Sequence, residues 1–487
     1  TSAYSKKLPW SDLKNIYEEK PIITVGGITY CITDPQKKHL SVGSDNQILT
    51  AVGVETTGSV TIPASVDYEG ASYTVNGVAN YAFYNCDKIT SITLPNSITS
   101  IGDHAFAGCR KLTAFSMPSH VTSIGEFAFI DCVMLAQVNI PASVTTIKRY
   151  AFSACPLTSI SLPSSVTSIG KEVFFGCKQL QSIQVDSNNP NYSSVDGVLF
   201  DKMQTTLIDY PEGHLSKKSY AIPTSVTTIG ERAFTATTGF DLVIPPSVKT
   251  IGDYAFQSCY QFAIHLKNYN PSDITAADCA FDAIDLAGLP ENKLYVPKGA
   301  LSAYSSADPW KNFNYKYEED FSFTVDGITY TITNFANREV AVYAGIDKAA
   351  ISTTTAGEFN VPASVTYSGE KYSVTSIGRT AFLNCSALTS VNIPFSVTSI
   401  GVEAFYGCTE LLSVQIPSTV TSLGAGAFRN CGKLTSIRIP SSISSLTDYT
   451  FFNCSKLAAI YANNPIPPTI LQISPSNFTG IAYGCKV

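Results

Sequence analysis

The stretch that decides the fold is Leu112–Cys132, LTAFSMPSHVTSIGEFAFIDC, which returns along the chain almost residue for residue. Each copy is anchored by an Ala-Phe pair or a close variant, usually followed by two residues and then Cys. Successive anchors are mostly 22 or 23 residues apart, with two longer gaps of 60 and 126 residues. A fixed period in this range predicts a solenoid, in which each repeat is one coil stacked on its neighbours. The anchors are Phe83, Phe106, Phe129, Phe152, Phe174, Phe234, Phe256, Phe382, Phe405, Phe428 and Phe451.

The composition narrows the class of protein. The 487 residues exceed one ordinary globular domain, but a solenoid lengthens its core with each coil and escapes that limit. Charged residues make up only 14% of the chain, against about 25% in typical proteins. Ser, Thr, Asn and Gly fill the exposed positions instead, as in secreted or cell-surface β proteins. The net charge of −6 argues against a nucleic-acid partner, which requires clustered Lys and Arg.

Neither membrane insertion nor a targeting segment is predicted. The chain contains no apolar run of about 18 residues, the minimum for a transmembrane helix. It also shows no charged start followed by an apolar core and a cleavage site, so no signal peptide is recognisable. The cellular location of the protein is therefore predicted from its composition and from its repeat.

Ten of the thirteen cysteines share one repeat position. A disulfide framework would not place one Cys at the same phase of every coil, so we interpret them as a ladder of buried thiols that pack as small apolar side chains. A zinc site would need paired ligands such as C-x-x-C, which the chain lacks. Cys31, Cys279 and Cys485 lie off the ladder and stay unassigned. The ladder consists of Cys86, Cys109, Cys132, Cys155, Cys177, Cys259, Cys385, Cys408, Cys431 and Cys454.

A longer period encloses the coils. Residues 24–33, TVGGITYCIT, correspond to 324–333, TVDGITYTIT, and the first four anchors of the two arrays are offset by 299 residues. Residues 1–19 match 301–319 in the same way, so they are predicted to be the tail of a preceding unit. We infer that the sequence is a piece of a longer protein of several such units, or that its second unit ends abruptly.

The two units predict a division into seven segments. Residues 20–61 and 320–361 alternate in strand fashion without anchors, so we interpret them as N-terminal β caps that protect the end coil of each array. The predicted order is a preceding tail or linker at 1–19, a β cap at 20–61, a repeat array at 62–266 with a hairpin insertion at about 186–215, a C-terminal cap and connector at 267–319, a β cap at 320–361, a second array at 362–462 and a truncated C-terminal cap at 463–487.

Each coil predicts two short strands and a turn. In the coil quoted above, the first strand ends at Pro118, which cannot donate to a ladder. The second strand carries Ile124 and is turned by Gly125. Phe129 and Cys132 then have the spacing of one helical or 3-10 turn. Adjacent coils are expected to lie about 4.8 Å apart, so that the anchors stack into one core column.

The coil consensus, L-T-S-I-x-I-P-S-S-V-T-S-I-G-x-x-A-F-x-x-C, resembles the BspA-like (Treponema-type) leucine-rich repeat family of bacterial surface proteins. It differs from the eukaryotic leucine-rich pattern in its Ile-Pro and Ala-Phe-x-x-Cys. The resemblance covers about Ile62 to Cys259 and Val361 to Cys454. It implies a β-rich, right-handed solenoid of leucine-rich-repeat coils with short helical or 3-10 turns, in two tandem arrays. It also implies a role in adhesion at the bacterial surface, with no catalytic residues to carry over.

No motif for catalysis or for cofactor binding is recognisable. The chain has no H-E-x-x-H, no G-x-S-x-G, no Walker loop and no G-x-G-x-x-G after a strand. We therefore predict no enzymatic activity, no cofactor and no metal. One oxygen-rich loop lacks the spacing of a calcium-binding EF loop and is better interpreted as a turn before the hairpin. Its residues are Asp186, Asn188, Asn189, Asn191 and Asp196.

Two surfaces are candidates for binding a ligand. The residue before the Ala-Phe pair carries a ring in four consecutive coils, and a column of rings would receive sugars or an apolar patch of a partner, unless the rings are buried between coils. These residues are Tyr81, His104, Phe127 and Tyr150, followed by Glu172; the position after the anchor adds Tyr84, Ile130, Phe175, Tyr406 and Phe452. The second surface is the outward side of the first strand: Thr93, Ser116, Asn139 and Ser161, with Asn392, Gln415 and Arg438 in the second unit.

Three functions fit these features. The favoured one is a cell-surface or secreted adhesin or interaction scaffold that binds proteins of a host matrix or of neighbouring bacteria. The alternatives are a carbohydrate-binding surface protein and a structural stalk that displays another domain. Glycan capture predicts exposed aromatic side chains flanked by Asp, Asn or Arg, whereas a stalk predicts a featureless surface of Ser and Thr.

Overall fold

The structure is a computed structural model that describes residues 20–45, 50–214, 219–282, 292–334, 337–367 and 370–462. The predicted tail at 1–19 and the predicted cap at 463–487 lie outside these residues. The chain divides into two compact units, one comprising Thr1–Tyr295 with Ala303–Lys316 and the other Val296–Ser302 with Tyr317–Val487.

The first unit begins with an antiparallel meander that passes into a parallel stack. Ile28–Asp34 pairs in antiparallel fashion with Ile22–Val25 on one side and with His39–Val42 on the other. His39–Val42 then pairs in parallel with Ala71–Val78, which also holds Ser65–Tyr68 as an antiparallel neighbour. The meander therefore satisfies the edge of the first coil, which would otherwise leave its backbone groups unpaired.

Each following coil contributes two short strands that pair in parallel with the same strands of its neighbours. Ile124, for example, lies opposite Ile101 in one neighbouring coil and opposite Ile147 in the other. This in-register pairing keeps every apolar side chain of the motif on the inner face. The second strands are Ser100–Ile101, Ser123–Ile124, Thr146–Ile147 and Ser168–Ile169; the first strands are Gly58–Thr61, Ile89–Thr93, Ala114–Phe115, Ser159–Leu162 and Ser182–Val185.

The anchoring phenylalanines form the core column that the repeat predicts. The ring centroids of Phe106 and Phe129 are 5.0 Å apart, with an angle of 14° between the ring planes, and both side chains are fully buried. Gly125 lies so close to the preceding coil that a Cβ atom there would be 2.4 Å from the carbonyl carbon of Gly102. The coils are thus packed at backbone contact on one side and at ring contact on the other.

The turn that carries the anchor combines 3-10-type hydrogen bonds with one left-handed residue. The N–H groups of Ala107 and Cys109 donate to the carbonyls of His104 and Phe106, both at 3.1 Å, which are the i→i+3 bonds expected of a 3-10 turn. His104 itself has a φ of 56°, a region that non-glycine residues seldom occupy. The bond from the Phe106 N–H to the carbonyl of Ala128 in the next coil, 2.7 Å long, joins the turns into a ladder.

The ladder of buried thiols is confirmed. The described cysteines are free, and all ten ladder positions are buried. The Cys109 Sγ donates to the carbonyl of Phe83 in the preceding coil, and the Cys132 Sγ donates to the carbonyl of Phe106, both at 3.2 Å. Burial raises the pKa of the Cys86 thiol to about 11, so the thiol form is the stable one at neutral pH. Cys485 lies outside the described residues.

The 60-residue gap between anchors holds a three-stranded meander. Tyr192–Val195 and Thr206–Asp209 flank Val198–Asp201 in antiparallel pairing, and Thr206–Asp209 then pairs in parallel with Thr228–Ile229 of the next coil. The meander does not project from the stack, because Val198, Leu199 and Phe200 are apolar and fully buried. Further strands of this part are Ser219–Ala221, Asp241–Ile244, Thr250–Ile251, Ala263–Leu266, Thr275–Ala276 and Lys293–Pro297.

The core column of the first unit ends in an aromatic cluster. The Phe281 ring stacks on Phe256 at 5.1 Å and contacts Trp310 at 5.2 Å and Phe313 at 5.3 Å. The Tyr304 hydroxyl donates to the carbonyl of Asn268 at 2.9 Å. Bulky rings thereby cover the last coil, which has no further anchor above it. Nearby elements are the 3-10 turns Pro271–Asp273 and Trp310–Asn312, the α-helix Leu301–Ser306 and the strand Tyr315–Glu319.

The second unit repeats the plan of the first. An antiparallel meander passes into parallel pairing between Glu339–Val342 and Glu370–Ile377, and the anchors Phe382 and Phe405 stack at 4.8 Å. The meander and second strands are Ser322–Val325, Ile328–Asn334, Glu339–Val342, Ser364–Tyr367, Glu370–Ile377, Ser399–Ile400 and Ser422–Leu423. The first strands are Gly357–Asn360, Leu388–Asn392, Ser413–Gln415, Ser436–Ile439 and Ala459–Ala462.

Candidate binding surface

The four rings that precede the Ala-Phe pairs form one continuous column, called here the ring column. Neighbouring ring centroids are 4.8 Å apart for Tyr81 and His104, 4.7 Å for His104 and Phe127, and 4.9 Å for Phe127 and Tyr150. The angles between successive ring planes are 11°, 11° and 18°. The sequence therefore placed these four residues together correctly.

The backbone of the turn sets the position of each ring. Tyr81, Phe127 and Tyr150 have φ values of 59°, 54° and 55°, in the same left-handed region as His104. The N–H of each column residue donates to the next coil, as from His104 to the Glu126 carbonyl at 2.7 Å. Because the φ and the hydrogen bond repeat in these four coils, the side chains leave the backbone in one direction and stack at the coil spacing.

The column is half-buried. All four side chains keep partial exposure, so each ring presents an edge to solvent while its faces contact its neighbours. Burial lowers the pKa of His104, which keeps this imidazole neutral at pH 7. Burial also raises the pKa of Tyr150, with a further contribution from the nearby Glu172 carboxylate. The exposed edge is therefore uncharged along its length.

Two further rings stand beside the column. Tyr84 packs edge-on against Tyr81 at 5.6 Å, and Phe175 packs edge-on against Tyr150 at 6.2 Å. Phe175 is 39% exposed, which makes it one of the more accessible aromatic side chains of the first unit. The position after the anchor thus widens the ring column at its two ends.

The ring column ends in a charged network that the sequence analysis did not foresee. The Glu172 side chain is only 3% exposed and forms ion pairs with Arg149 at 3.0 Å and with Arg232 at 2.9 Å. Arg149 also lies over the Tyr150 ring at 4.6 Å, and Arg232 lies over the Tyr254 ring at 4.5 Å. Glu172, Arg232 and Tyr254 all precede an Ala-Phe or Val-Phe pair. The phase of the repeat is the signal that would have identified them as continuing the column.

The outward positions of the first strand are exposed, as predicted. Thr93, Ser116, Asn139 and Ser161 are each exposed, and Ser161 pairs with Gln184 of the next coil. Asn139 lies outside the regular strands. These side chains are small and polar, so they offer few apolar contacts to a partner.

The comparisons with known proteins fix the family. A family model described as BspA type leucine rich repeat region matches in six copies over residues 76–194, 145–270, 212–285 and 375–482, more than half of the chain. The chain belongs to the BspA-type leucine-rich repeat family. No curated protein matches it in sequence.

Several solved structures of bacterial proteins are similar to this chain over most of its length. A leucine-rich cell surface protein from Faecalibacterium prausnitzii is 20% identical, with 92% of this chain and 96% of that chain covered and a TM-score of 0.38. The pneumococcal vaccine antigen PcpA is 18% identical, with 95% and 92% covered and a TM-score of 0.39. A leucine-rich repeat protein from Bacteroides ovatus is 20% identical, with 88% and 95% covered and a TM-score of 0.37.

The second BspA-type array lacks the ring column but has an aromatic cage of its own. The Arg429 guanidinium lies 5.1 Å from the ring centroid of Phe452, 5.6 Å from that of Tyr406 and 5.8 Å from that of Tyr449. Gly426 occupies the column position of that coil, and the Arg429 side chain lies over the space that a larger residue would fill. Along the outward strand face, Asn392 Nδ2 donates to Glu358 Oε1 at 2.6 Å and to Asn360 Oδ1 at 2.7 Å.

The oxygen-rich loop of the BspA-type chain is a turn, as the sequence favoured. The Asn189 side chain is buried; its Nδ2 donates to the carbonyls of Pro163 and Val166, and its Oδ1 accepts from the N–H groups of Asn191 and Tyr192. The amide is therefore saturated by the protein itself. As for membranes, none of the helices within the described ranges is both long and apolar enough to span a bilayer.

Proposed function

We propose that this BspA-type protein is a non-enzymatic adhesion or protein-binding protein of the bacterial surface, and that the ring column contacts its partner. Family membership and the hydroxyl-rich, weakly charged surface support the location. Repeat solenoids commonly bind along one extended face, and the column gives such a face over four coils. Aromatic side chains are also the residues most enriched at the energetic centres of protein interfaces.

The single observation that carries the proposal is the choice of rings at left-handed positions. A bulky residue in that region costs about 1 kcal/mol or more, whereas Gly occupies it freely. Stacking returns about 0.5–1.5 kcal/mol for each ring pair, and four rings make three such pairs. The two contributions nearly cancel, so stability alone gives little reason to prefer rings to Gly. Gly426 shows that the same turn forms with Gly at this position.

The test replaces rings without disturbing the turn. Asn tolerates left-handed φ better than other polar residues, so a triple variant His104→Asn, Phe127→Asn and Tyr150→Asn keeps the backbone preference. A matched triple variant changes the strand face: Ser116→Ala, Asn139→Ala and Ser161→Ala. Both proteins are compared with the parent on a panel of host extracellular-matrix proteins and on a glycan array, with circular dichroism as the control for folding.

We expect the ring variant to lose at least about tenfold in affinity for a protein that the parent binds, because a hot-spot side chain contributes about 2 kcal/mol. The strand-face variant should bind like the parent. Loss in the strand-face variant alone would move the site to that face. Binding confined to glycans would favour carbohydrate capture, and no binding to either panel would favour a stalk.

A further inference from the structure

The backbone ladder between turns is interrupted at one coil. In the regular coils the anchor N–H donates to the next coil, as from Phe152 to the Val173 carbonyl at 3.0 Å, and in the meander the Tyr210 N–H donates in the same way to the Ala233 carbonyl at 2.8 Å. Between these rungs, the N–H of Phe174 has no acceptor in the described part of the chain, although the residue is 4% exposed. The N–H of Glu172, one rung away, likewise has none there. The interruption lies where the next turn along the stack is supplied by the meander of the long gap.

The rungs on either side of this interruption are closed by side chains. The Gly176 N–H donates to Glu212 Oε1 at 2.6 Å, in place of the backbone carbonyl used by other coils. On the strand side, the Ile169 N–H donates to the Tyr192 hydroxyl at 3.1 Å. The two donors between them are therefore the open edge of a ladder, and buried backbone donors of this kind are nearly always satisfied by a ligand, a water or another chain segment.

A cleft of about 250 Å³ opens at this edge, called here the coil-break cleft. Its apolar lining includes Ile169, Phe174, Phe175 and Ile208. The charged residues that line it are Lys171, Glu172, Asp209, Glu212, Glu231 and Arg232. The volume suits a single large side chain with a short length of backbone. Phe175, at the end of the ring column, lies on its rim and is exposed to solvent.

Two of the four carboxyl groups that line the cleft have no ion pair with any described residue. Glu172 is paired with Arg149 and Arg232, and Glu231 is paired with Lys171 at 2.5 Å. These pairs bring three cations to two carboxylates, and none of the three cations is paired with Asp209 or Glu212.

Asp209 and Glu212 are the remaining acids of the cleft. Glu212 Oε1 accepts from the Gly176 N–H. The backbone of Asp209 is paired with Leu199, whereas its carboxyl group forms no hydrogen bond or ion pair with any described residue. Asp209 is partly exposed because it faces the cleft, while protein atoms enclose its other sides. Burial and the nearby Glu212 raise the pKa of Asp209 to about 7, and burial raises the pKa of Glu212 to about 7 against the opposing effects of the Gly176 N–H and Lys178.

We propose that the coil-break cleft binds an extended segment of a protein partner that inserts a lysine or arginine side chain between Asp209 and Glu212. The segment's carbonyls would accept from the N–H groups of Glu172 and Phe174, which completes the ladder as the next coil does elsewhere. Its cationic group would compensate the two carboxylates, and its aliphatic stem would pack on Phe174 and Phe175. The site adjoins the end of the ring column at Phe175, but its polar groups lie outside the four rings of that column.

The experiment titrates the whole chain with the peptide acetyl-Gly-Ser-Arg-Ser-Gly-amide by calorimetry at pH 8, where both carboxyls are ionised. The same peptide with Glu in place of Arg tests charge, and free arginine amide tests the need for an extended backbone. Maltotriose tests a sugar site. The variant Asp209→Asn removes one carboxylate at constant shape, and Asp241→Asn, at an exposed strand position of the next coil, is the matched control. Hydrogen exchange of residues 170–177 reports on the two open N–H groups.

We expect the arginine peptide to bind, Asp209→Asn to weaken it at least about tenfold, and Asp241→Asn to leave it unchanged, because a hydrogen bond to a charged group contributes about 1.5–3 kcal/mol. The N–H groups of Glu172 and Phe174 should exchange more slowly in the complex. Absence of binding at millimolar peptide, equal binding by Asp209→Asn, or equal binding of the glutamate peptide would overturn the proposal. Free arginine amide binding as tightly as the peptide, or binding of maltotriose instead, would also overturn it.

Discussion

The Glu172 carboxylate and the Arg232 guanidinium meet at 2.9 Å across the coil that the long meander replaces. Both occupy the position that carries a ring in the earlier coils, so the ring column passes here into an ion pair. Glu172 is almost fully shielded from water, and Arg232 donates in addition to Gln257 Oε1 at 2.7 Å. The pair holds together two parts of the stack whose turns are not joined by backbone hydrogen bonds.

This geometry predicts a large effect of removing the guanidinium. Arg232→Met leaves the shielded Glu172 with Arg149 as its remaining cation, and we expect the free energy of unfolding to fall by about 2 kcal/mol. Chemical denaturation followed by circular dichroism measures the change. Lys433→Met is the control, because its pair with Glu410 at 2.6 Å is exposed and should contribute no more than about 0.5 kcal/mol. Equal effects of the two variants would show that the ion pair of Glu172 with Arg232 does not hold the two parts of the stack together.

The coil-break cleft predicts a pH dependence of stability. The folded-state pKa of Asp209 is about 7, above its ordinary value of 3.8, so the folded protein retains a proton that the unfolded chain loses. This contribution to stability is fully present below about pH 4 and is lost as the pH rises to about 7. Glu212 acts in the same direction, from its ordinary value of 4.5.

Thermal unfolding at pH 5 and pH 8 measures this dependence. We expect Asp209→Asn to gain about 1–2 kcal/mol relative to the parent at pH 8 and little at pH 5, since water in the cleft reduces the cost of the charge. Asp241→Asn, at its exposed position, should follow the parent at both values. A gain by Asp209→Asn that is the same at pH 5 and pH 8 would contradict the assignment.

The close packing of coils predicts that Gly125 cannot be replaced. A Cβ atom at this position would lie 2.4 Å from the backbone of Gly102, so Gly125→Ala must push two coils apart. We expect a loss of about 1–3 kcal/mol in the free energy of unfolding. Gly53→Ala is the matched control, because its nearest neighbour would be Thr56 Oγ1 at 4.0 Å. Comparable losses in both variants would mean that lost chain flexibility, rather than contact between coils, is being measured.

The thiol ladder predicts strong protection from thiol reagents. In a Cys485→Ser background, we expect Cys279, which is partly exposed, to react with Ellman's reagent in the folded protein and the ten ladder thiols to react only after unfolding. Absorbance at neutral pH with and without denaturant counts the reactive groups. Adding Cys279→Ser should abolish the fast phase. Fast reaction of several thiols without denaturant would show that the coils open readily.

The sequence predicted the coil well because the coil is a local and repeated solution. The spacing of Phe106 and Phe129 alone implies a stacked core column, and the same phase places His104 beside Phe127. Each of these relationships links a residue to its counterpart one period away. Periodicity therefore carries the information that an isolated contact in a globular protein would not reveal.

The coil-break cleft could not be predicted in this way, because it arises where the period fails. Asp209 has no counterpart in other coils, and its environment depends on how far the meander separates the turns. The ion pair of Glu172 with Arg232 links residues across the irregular segment, so the repeat period does not predict it. The pattern of the sequence marks the place of this irregularity without giving its geometry.

The left-handed turn has a consequence for how such a chain can change. The same φ recurs at Tyr81, Glu172 and Arg232, so a ring, an acid and a base project from one unchanged backbone. A coil can accordingly be duplicated, deleted or exchanged as a whole, because neighbouring coils pack on the backbone conformation that all coils share. One added coil would slide every later side chain along the face by a single step. The outer surface can therefore change one coil at a time while the backbone stays the same.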